Sequence, residues 1–413
     1  MKKLLSIVLS VVLALSLVAC GQQSTQRVEN GEPAENQATS KVDDKEGEGA
    51  ADTIKIGMYV TMTGKAAGTG IAAQRGYEMA LGRINAAGGI NGRKIEFISY
   101  DDMGTTEAAT KAATRLIEDD GVQAIVGSHM SANVAAVAPL AEKAKVLHIG
   151  IGTGATWTNV GLDYTYRATC NANFLESSII ETVVEMGAKS IALICAETEY
   201  GQSGRKNILK HAETAGLEVK SDLGYQAADT DYTGIINKTL AADADAIILY
   251  SIAQEAALQI KQFRQNGYDG VLYTMEGGAT TEMFTVAGNA SNGVIFVAGN
   301  ILPATPEEGP TEKYVDVLTE YYATYGEMPS SSCFYRAFDG MMLLAEALKN
   351  SEDINSGESI MKAFRSLSGI ELISGTFDFT DGSGDGIKSS GKYMIVDGTT
   401  KVFDPAVMAN FGN

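Results

Sequence analysis

Residues 54–60 read IKIGMYV and residues 94–100 read KIEFISY, and these two stretches decide the fold class. Each is a short, mainly apolar run of the kind that forms a β-strand covered on both faces. The segment between them, 71–86, has the longer amphipathic period of an α-helix. The order strand, helix, strand predicts a βαβ unit, in which the helix returns the chain to begin a parallel neighbouring strand.

The same alternation continues along the chain in two series of predicted elements. In the first series, strands at 122–127 and 147–151 follow, with helices at 106–119 and 131–144. In the second, the strands are 190–195, 219–225, 246–250, 271–274 and 294–298, with helices between them. Beyond 303 the pattern predicts three helices (311–325, 335–350 and 360–367) and a terminal hairpin of 375–379 with 393–396. Two series predict an α/β fold with two lobes, each a mostly parallel sheet flanked by helices.

Residues 1–20 have the organisation of a secretory signal peptide. Two lysines precede an apolar run, 4–19, which is shorter than the roughly 20 residues that span a bilayer. The run ends in Leu17-Val-Ala-Cys20, which resembles a bacterial lipobox and implies cleavage before Cys20 and lipidation of that residue. An ordinary leader with a chance cysteine is the alternative. Residues 21–53 carry almost no large apolar side chains and are expected to form a disordered tether, so the body should lie outside the cytoplasm on a lipid anchor.

The composition argues against several classes of function. The formal net charge of the 413 residues is −19, and an acidic body repels phosphate backbones, so no nucleic-acid partner is expected. Apart from Cys20 there are three widely separated cysteines, and the three histidines have no metal-ligand spacing. Neither a disulfide framework nor a metal site is therefore expected. About 360 residues follow the tether, which is enough chain for two lobes.

Three motifs bear on catalysis, and none of them completes a catalytic set. Residues 68–73 fit Gly-x-Gly-x-x-Ala but begin about eight residues after the strand, whereas a dinucleotide site needs a tight turn. Asp101 and Asp102 follow a strand, but neighbours on an extended chain point to opposite faces. Segment 381–386 begins like a calcium loop, but Lys392 stands where the closing Glu belongs. We expect neither enzymatic activity nor a cofactor.

Polar loops after predicted strands indicate binding instead. The loop that ends at Ser131 opens a helix, where free amide groups and a hydroxyl suit a carboxylate. Residues 150–156 follow the next strand, are rich in glycine and include Thr156. Helix capping is the alternative role for each loop taken singly. In the second series Glu276 comes just after a strand, where it meets an ammonium group or is simply solvated.

Several segments, in order along the chain, match one known family. The most specific is Asn85-Ala-Ala-Gly-Gly-Ile-Asn-Gly92. The others are Thr63-Gly64, Tyr100-Asp101-Asp102, Ala136-Val-Ala-Pro139, Tyr200-Gly201-Gln202, Asp231-Tyr232 and Phe338-Asp339. Together they closely resemble the ABC-transporter solute receptors of the leucine/isoleucine/valine-binding type. The resemblance implies a type I periplasmic-binding-protein clamshell, with 54–170 and 301–375 as lobe 1 and 171–300 and 376–413 as lobe 2.

The resemblance also implies a ligand site between the lobes. In family members that bind amino acids, the ligand carboxylate meets a serine and a loop, the ammonium group meets an acid, and a tyrosine often lines the cleft. The matching residues here are Ser131 (serine), Gly154, Ala155 and Thr156 (loop), Glu276 (acid) and Tyr200 (tyrosine). One position departs from the leucine-type pattern, because the clamping tyrosine expected near Ile252 is missing. Tyr250 is the nearest tyrosine. Trp157, which follows the Thr156 loop, either shapes the side-chain pocket or packs in the core.

We therefore interpret the sequence as an extracytoplasmic substrate-binding protein of an ABC importer. It would bind an amino acid, branched-chain or related, and deliver it to a permease. The alternatives are a ligand-sensing receptor module of the same fold, or a receptor for an amide, urea or an aromatic acid. The sequence leaves the identity of the solute open.

Overall fold

The computed structural model describes residues 53–64, 66–154, 156–158, 160–388, 390–409 and 411. The predicted signal peptide, almost all of the tether, and Cys20 lie outside these residues. Every described residue belongs to one compact unit, Ala50–Asn413. Within the described part, no helix combines the length and the apolar character needed to cross a membrane.

The described chain alternates strands and helices as the sequence predicts. In chain order the strands are β1 (Ile54–Val60), β2 (Ile95–Asp101), β3 (Ala124–Val126), β4 (Leu147–Gly150), β5 (Thr165–Cys170), β6 (Ser190–Ala196), β7 (Glu218–Tyr225), β8 (Ala246–Tyr250), β9 (Leu272–Met275), β10 (Val294–Ala298), β11 (Ile370–Leu372), β12 (Gly375–Phe377), β13 (Asp385–Ile387), β14 (Gly391–Val396) and β15 (Thr399–Val402). The helices are α1 (Ala67–Ala86), α2 (Thr106–Glu118), α3 (Ser131–Ala144), α4 (Ala172–Glu185), α5 (Glu199–Thr214), α6 (Thr233–Ala241), α7 (Ala253–Gln265), α8 (Glu282–Thr285), α9 (Glu312–Tyr325), α10 (Cys333–Asn350), α11 (Gly357–Arg365) and α12 (Pro405–Met408).

Two large sheets form the centres of two lobes. The first has the order β13-β5-β4-β3-β1-β2, and all its neighbouring strands pair in parallel. The second has the order β15-β14-β10-β9-β8-β6-β7, parallel from β7 to β10 and antiparallel at β14 and β15. The inner strands are apolar and buried, because helices cover both faces of each sheet. The predicted two-lobed α/β fold is confirmed.

The C-terminal topology differs from the prediction in two respects. Strand β13 pairs with β5 of the first sheet, so the segment assigned to lobe 2 from residue 376 onwards begins in the other lobe's sheet. The predicted hairpin of 375–379 with 393–396 is wrong, because β12 pairs with β11 whereas β14 pairs with β10 and β15. Strand β5 was not predicted at all. Its sequence TYRATC has no apolar run, although every residue in it is buried.

The segment that matches the family most specifically, residues 85–92, forms the end of α1 and the turn that leads to β2. The Asn85 side chain donates to the Ile95 carbonyl at 2.8 Å and accepts from the Ile95 amide at 2.9 Å. Gly89 has a φ of +77°, and a Cβ there would lie 2.0 Å from the Arg93 carbonyl oxygen. The block therefore fixes where the second strand begins, which explains its sequence without any role in binding.

Candidate functional site

The two polar loops of the first lobe meet at the carboxyl edge of its sheet. Ser131 is the first residue of α3, and its Oγ accepts a hydrogen bond of 3.0 Å from the Gly154 amide. A Cβ on Gly154 would lie 2.7 Å from that oxygen, so the loop needs glycine to pack against the helix end. Ser131 and Gly154 are thus brought together as expected. Ala155 lies outside the described residues.

A buried arginine on β5 supports this loop from behind. The Arg167 guanidinium donates to the carbonyl oxygens of Gly152 and Gly154, the latter at 2.8 Å, and to Thr158 Oγ1 at 2.9 Å. Its side chain is fully buried. Because these carbonyl groups are directed at the cation, the path of the loop is fixed by a residue that sequence reasoning missed.

Arg167 is itself held by a carboxylate and an aromatic ring. Its Nε lies 2.7 Å from Asp385 Oδ1, and Asn171 donates to the other oxygen of Asp385 at 2.8 Å. The guanidinium carbon lies 3.8 Å from the centre of the Trp157 ring. Trp157 is buried under this cation, so its contact explains the only tryptophan of the chain as part of the loop support.

The predicted ammonium partner, Glu276, is buried and paired rather than solvated. It follows β9 of the second lobe and is 2% exposed. One carboxylate oxygen accepts from the Gly299 amide at 3.2 Å, and the other lies 2.6 Å from Nη2 of Arg336. The arginine therefore occupies one position that an ammonium group would take.

Arg336 comes from the first turn of α10, a helix that packs on α1 and on the first sheet. It donates to the Ile151 carbonyl at 3.3 Å and to Ser332 Oγ at 3.0 Å. Burial is the largest single influence and by itself would lower the pKa of Arg336, but the attraction and hydrogen bonding of Glu276, together with the nearby Cys333 and Cys170 side chains, raise the pKa above its ordinary value. The ion pair therefore joins the two lobes. Its sequence signal is the one cation on the mainly apolar buried face of this helix, and sequence reasoning missed it.

Several polar atoms around this ion pair are buried without a hydrogen-bond partner among the described residues. They include Nε of Arg336 and both ring nitrogens of the neighbouring His129. Burial is the main cause that lowers the pKa of His129 to about 4, opposed by Asp102 and assisted by Arg336, so the ring is neutral at neutral pH. Buried unpaired groups are rare in native folds and indicate where a ligand or water binds.

Tyrosines of the second lobe lie beside Glu276. The Tyr200 ring packs against Tyr250 with 4.8 Å between centroids, and a Cβ on Gly277 would lie 3.0 Å from the Tyr200 hydroxyl. Tyr250 is fully buried and donates to Glu176 at 2.6 Å. Tyr200 is therefore the tyrosine next to the acid, and Tyr250 fixes its position from the core.

Thr156 is exposed, and its hydroxyl already has a hydrogen-bond partner within the protein. It donates to Glu199 at the start of α5 at 2.8 Å, which is a contact between the lobes at their rim.

Deeper in the first lobe, the carboxylate of Asp102 accepts from Thr61 and Ser128 at 2.6 Å each. Asp102 thus holds in place the loop that contains Ser128. No group of three or more acidic, histidine or cysteine side chains among the described residues is arranged to hold a metal ion.

The two parallel-sheet lobes, with polar groups of both converging on one interior ion pair, define a two-lobed solute-binding fold. The family model described as periplasmic binding protein matches residues 53–396. The chain belongs to this family, within its type I class of Leu/Ile/Val-binding proteins. The family recognition from sequence is confirmed.

Individual relatives are similar at modest identity. The leucine-, isoleucine-, valine-, threonine- and alanine-binding protein of Pseudomonas aeruginosa is 28% identical over 318 residues, 76% of this chain and 83% of its own. The branched-chain amino acid transporter substrate-binding protein LivJ of Streptococcus pneumoniae, solved with isoleucine, is 28% identical with a TM-score of 0.76, covering 85% of this chain and 98% of its own. A solute-binding protein of R. palustris solved with benzoate has the same fold at 17% identity, with a TM-score of 0.76 and coverages of 85% and 96%.

Proposed function

We propose that this protein is the extracytoplasmic substrate-binding component of an ABC importer, and that it binds an amino acid between its lobes. In this proposal the ligand is branched-chain or related, and the protein delivers it to a permease without any covalent chemistry. A lipid on Cys20 would keep the protein at the cell membrane.

One observation carries the proposal: an anion-binding corner and a buried acid come from opposite lobes and meet at Arg336. Ser131 and the loop at Gly154 supply hydroxyl and amide groups, which suit a carboxylate. Glu276 supplies a negative charge for an ammonium group. The names of the relatives that bind leucine, isoleucine and valine support the same ligand class.

Closure of the lobes is the conformational change that ligand binding would drive. A ligand that contacts both lobes binds the closed form better than the open form and shifts the population toward it. The Thr156–Glu199 hydrogen bond lies at the rim, where it forms only when the lobes are together. The permease would then distinguish the closed form from the open one.

A ligand screen tests the proposal. We expect a thermal-shift screen of amino acids, amides and aromatic acids to find a stabilising amino acid, since ligand at a hundredfold its Kd adds about 2.7 kcal/mol. Calorimetry should then give a Kd that Ser131→Ala weakens by about 1.5–3 kcal/mol. Ser291→Ala is the matched control, because this buried hydroxyl bonds only within its own turn of the second lobe. A screen in which no amino acid stabilises the protein would contradict the proposal.

The lipid anchor has its own test. Cells that express the full chain should incorporate a labelled fatty acid into this protein, and Cys20→Ala should abolish the incorporation. Equal labelling of both forms would show that Cys20 is not the acylated residue.

A further inference from the structure

The Arg336–Glu276 ion pair has the charge pattern of an amino acid zwitterion. It places one positive and one negative group 2.6 Å apart, and each comes from a different lobe. An amino acid carries the same two charges one carbon apart. A zwitterion lying antiparallel to the pair therefore matches it, with its ammonium group at Glu276 and its carboxylate at Arg336.

We propose that Arg336 is a carboxylate-binding residue of the cleft, acting together with Ser131. On binding, the ligand carboxylate takes the place of Glu276 on the arginine, while the ligand ammonium takes the place of the arginine on Glu276. This inference rests on the proposed function and adds to it the residue that receives the carboxylate and the charge class of the ligand.

The position of Arg336 supports this role. Its Nη1 bonds to Ile151, the first residue of the loop whose Gly154 amide reaches Ser131. Its Nη2 lies against Glu276. A ligand that bridges Ser131 and Glu276 with groups one carbon apart must pass beside a side chain that lies between them.

Arg336 also has hydrogen-bond donors that no group of the described residues accepts. A guanidinium has five N–H donors, and its Nε has no hydrogen-bond partner among the described residues although the side chain is almost completely buried. The planar fork of N–H groups suits both oxygens of a carboxylate. The two unpartnered nitrogens of His129 add a neutral donor and acceptor nearby.

Charge balance identifies the class of amino acid. Arg336 and Glu276 cancel, and so do Arg167 and Asp385 behind the loop. A ligand whose own charges cancel leaves the net charge of the buried cleft unchanged, whereas an acidic or basic side chain adds one charge that neither of these pairs compensates, which is costly in a buried site. The ligand is therefore an amino acid with an uncharged side chain.

The test compares two probes that differ only in the carboxylate, L-leucine and L-leucinamide. Arg336→Gln should weaken L-leucine by about tenfold to a hundredfold. L-leucinamide has no carboxylate to lose a partner and competes with Arg336 for Glu276, so it should bind the variant as tightly as the wild type or more tightly. Arg336→Lys should recover part of the L-leucine affinity, because it keeps the positive charge. Arg75→Gln, which removes an arginine paired with Glu327 on the surface, is the control and should leave both affinities unchanged.

Each other outcome overturns the inference in a recognisable way. If Arg336→Gln tightens both probes, the arginine only competes for Glu276; if it weakens both equally in a folded variant, its role is structural. Urea denaturation of each variant establishes that it is folded. A preference of the wild-type protein for glutamate or lysine over leucine would contradict the charge argument.

Failure of the proposed function gives a different pattern. If the wild-type protein binds no amino acid but binds a simple carboxylate such as benzoate, the proposed function is wrong, and the same variants are measured with benzoate. Loss of benzoate binding in Arg336→Gln then supports the carboxylate role, and retention contradicts it. If the wild-type protein binds no carboxylate of any kind, both the proposed function and the role inferred for Arg336 are overturned.

Discussion

Two buried arginine–carboxylate pairs can be compared in this molecule, and they differ in how completely they are satisfied. Arg167 and Asp385 lie within the first sheet, and Arg167 also bonds to two carbonyl groups and a hydroxyl and stacks on Trp157. Arg336 and Glu276 lie between the lobes, and an N–H of the arginine has no hydrogen-bond partner within the described chain.

The comparison shows how a buried ion pair that stabilises the fold differs from one that can bind a ligand. A buried ion pair offsets its desolvation only when further hydrogen bonds satisfy both partners. Arg167 meets that condition, so its pair is a permanent part of the loop support. Arg336 does not meet it fully, and a ligand with complementary charges can supply the missing contacts.

The largest expected effect is on the satisfied pair. Arg167→Met should lower the free energy of unfolding by about 3–5 kcal/mol, because it leaves the Asp385 carboxylate buried without a partner. Urea denaturation measures this change. The double variant Arg167→Met/Asp385→Leu should recover much of the loss, since it removes both charges. If the double variant is as unstable as the single one, the ion pair is not the cause.

The incompletely satisfied pair has a titratable neighbour, which gives the two regions different pH behaviour. The pKa of His129 is about 4 in the fold, below its unfolded value of 6.5. The neutral ring is therefore favoured by folding: its contribution is complete above pH 6.5 and is lost as the pH falls toward 4. This contribution amounts to at most about 3 kcal/mol.

His129→Asn should remove that part of the pH dependence. Urea denaturation of the wild-type protein and the variant at several pH values between 4 and 7 measures the difference. His148, whose buried ring also has a pKa of about 4, is present in both proteins and cancels in the comparison. Parallel stability curves for the two proteins would show that His129 does not titrate as expected.

A third prediction concerns the acid of the interlobe pair. Glu276→Gln should weaken binding of an α-amino acid by about 1.5–3 kcal/mol, because a charged hydrogen bond to the ammonium group is lost. Calorimetry measures the change, with Glu282→Gln as control, since Glu282 bonds to Thr280 within the same lobe. An unchanged affinity would remove Glu276 from the ligand site.

The smallest effect is expected at the rim. Thr156→Val removes an exposed hydrogen bond to Glu199 and should weaken ligand binding by less than about 1 kcal/mol, since exposed interactions contribute little. Calorimetry with the same amino acid is the measurement. A loss of more than about tenfold would instead mean that Thr156 contacts the ligand, as the family resemblance implies.

Sequence reasoning recovered the fold wherever the strands are apolar. Strands β1, β8 and β10 were predicted at their observed limits, because each is a wholly or mainly apolar run. It failed at β5 and β13, whose sequences TYRATC and DGI contain no apolar run, and which the Arg167–Asp385 ion pair joins to each other. Periodicity carries no information about a strand that is stabilised by a partner far away in the chain.

The sequence by itself determined the two βα series, the family and the placement of Ser131 and Glu276 after strand ends. These features follow from local hydrophobic period and short motifs, which are properties of neighbouring residues. Only the tertiary structure decided the partners of the buried charges. Arg167 and Asp385 are 218 residues apart, and Arg336 meets Glu276 across the lobes. Such contacts depend on how sheets and helices pack, because burial makes each charge require a partner wherever the fold brings one.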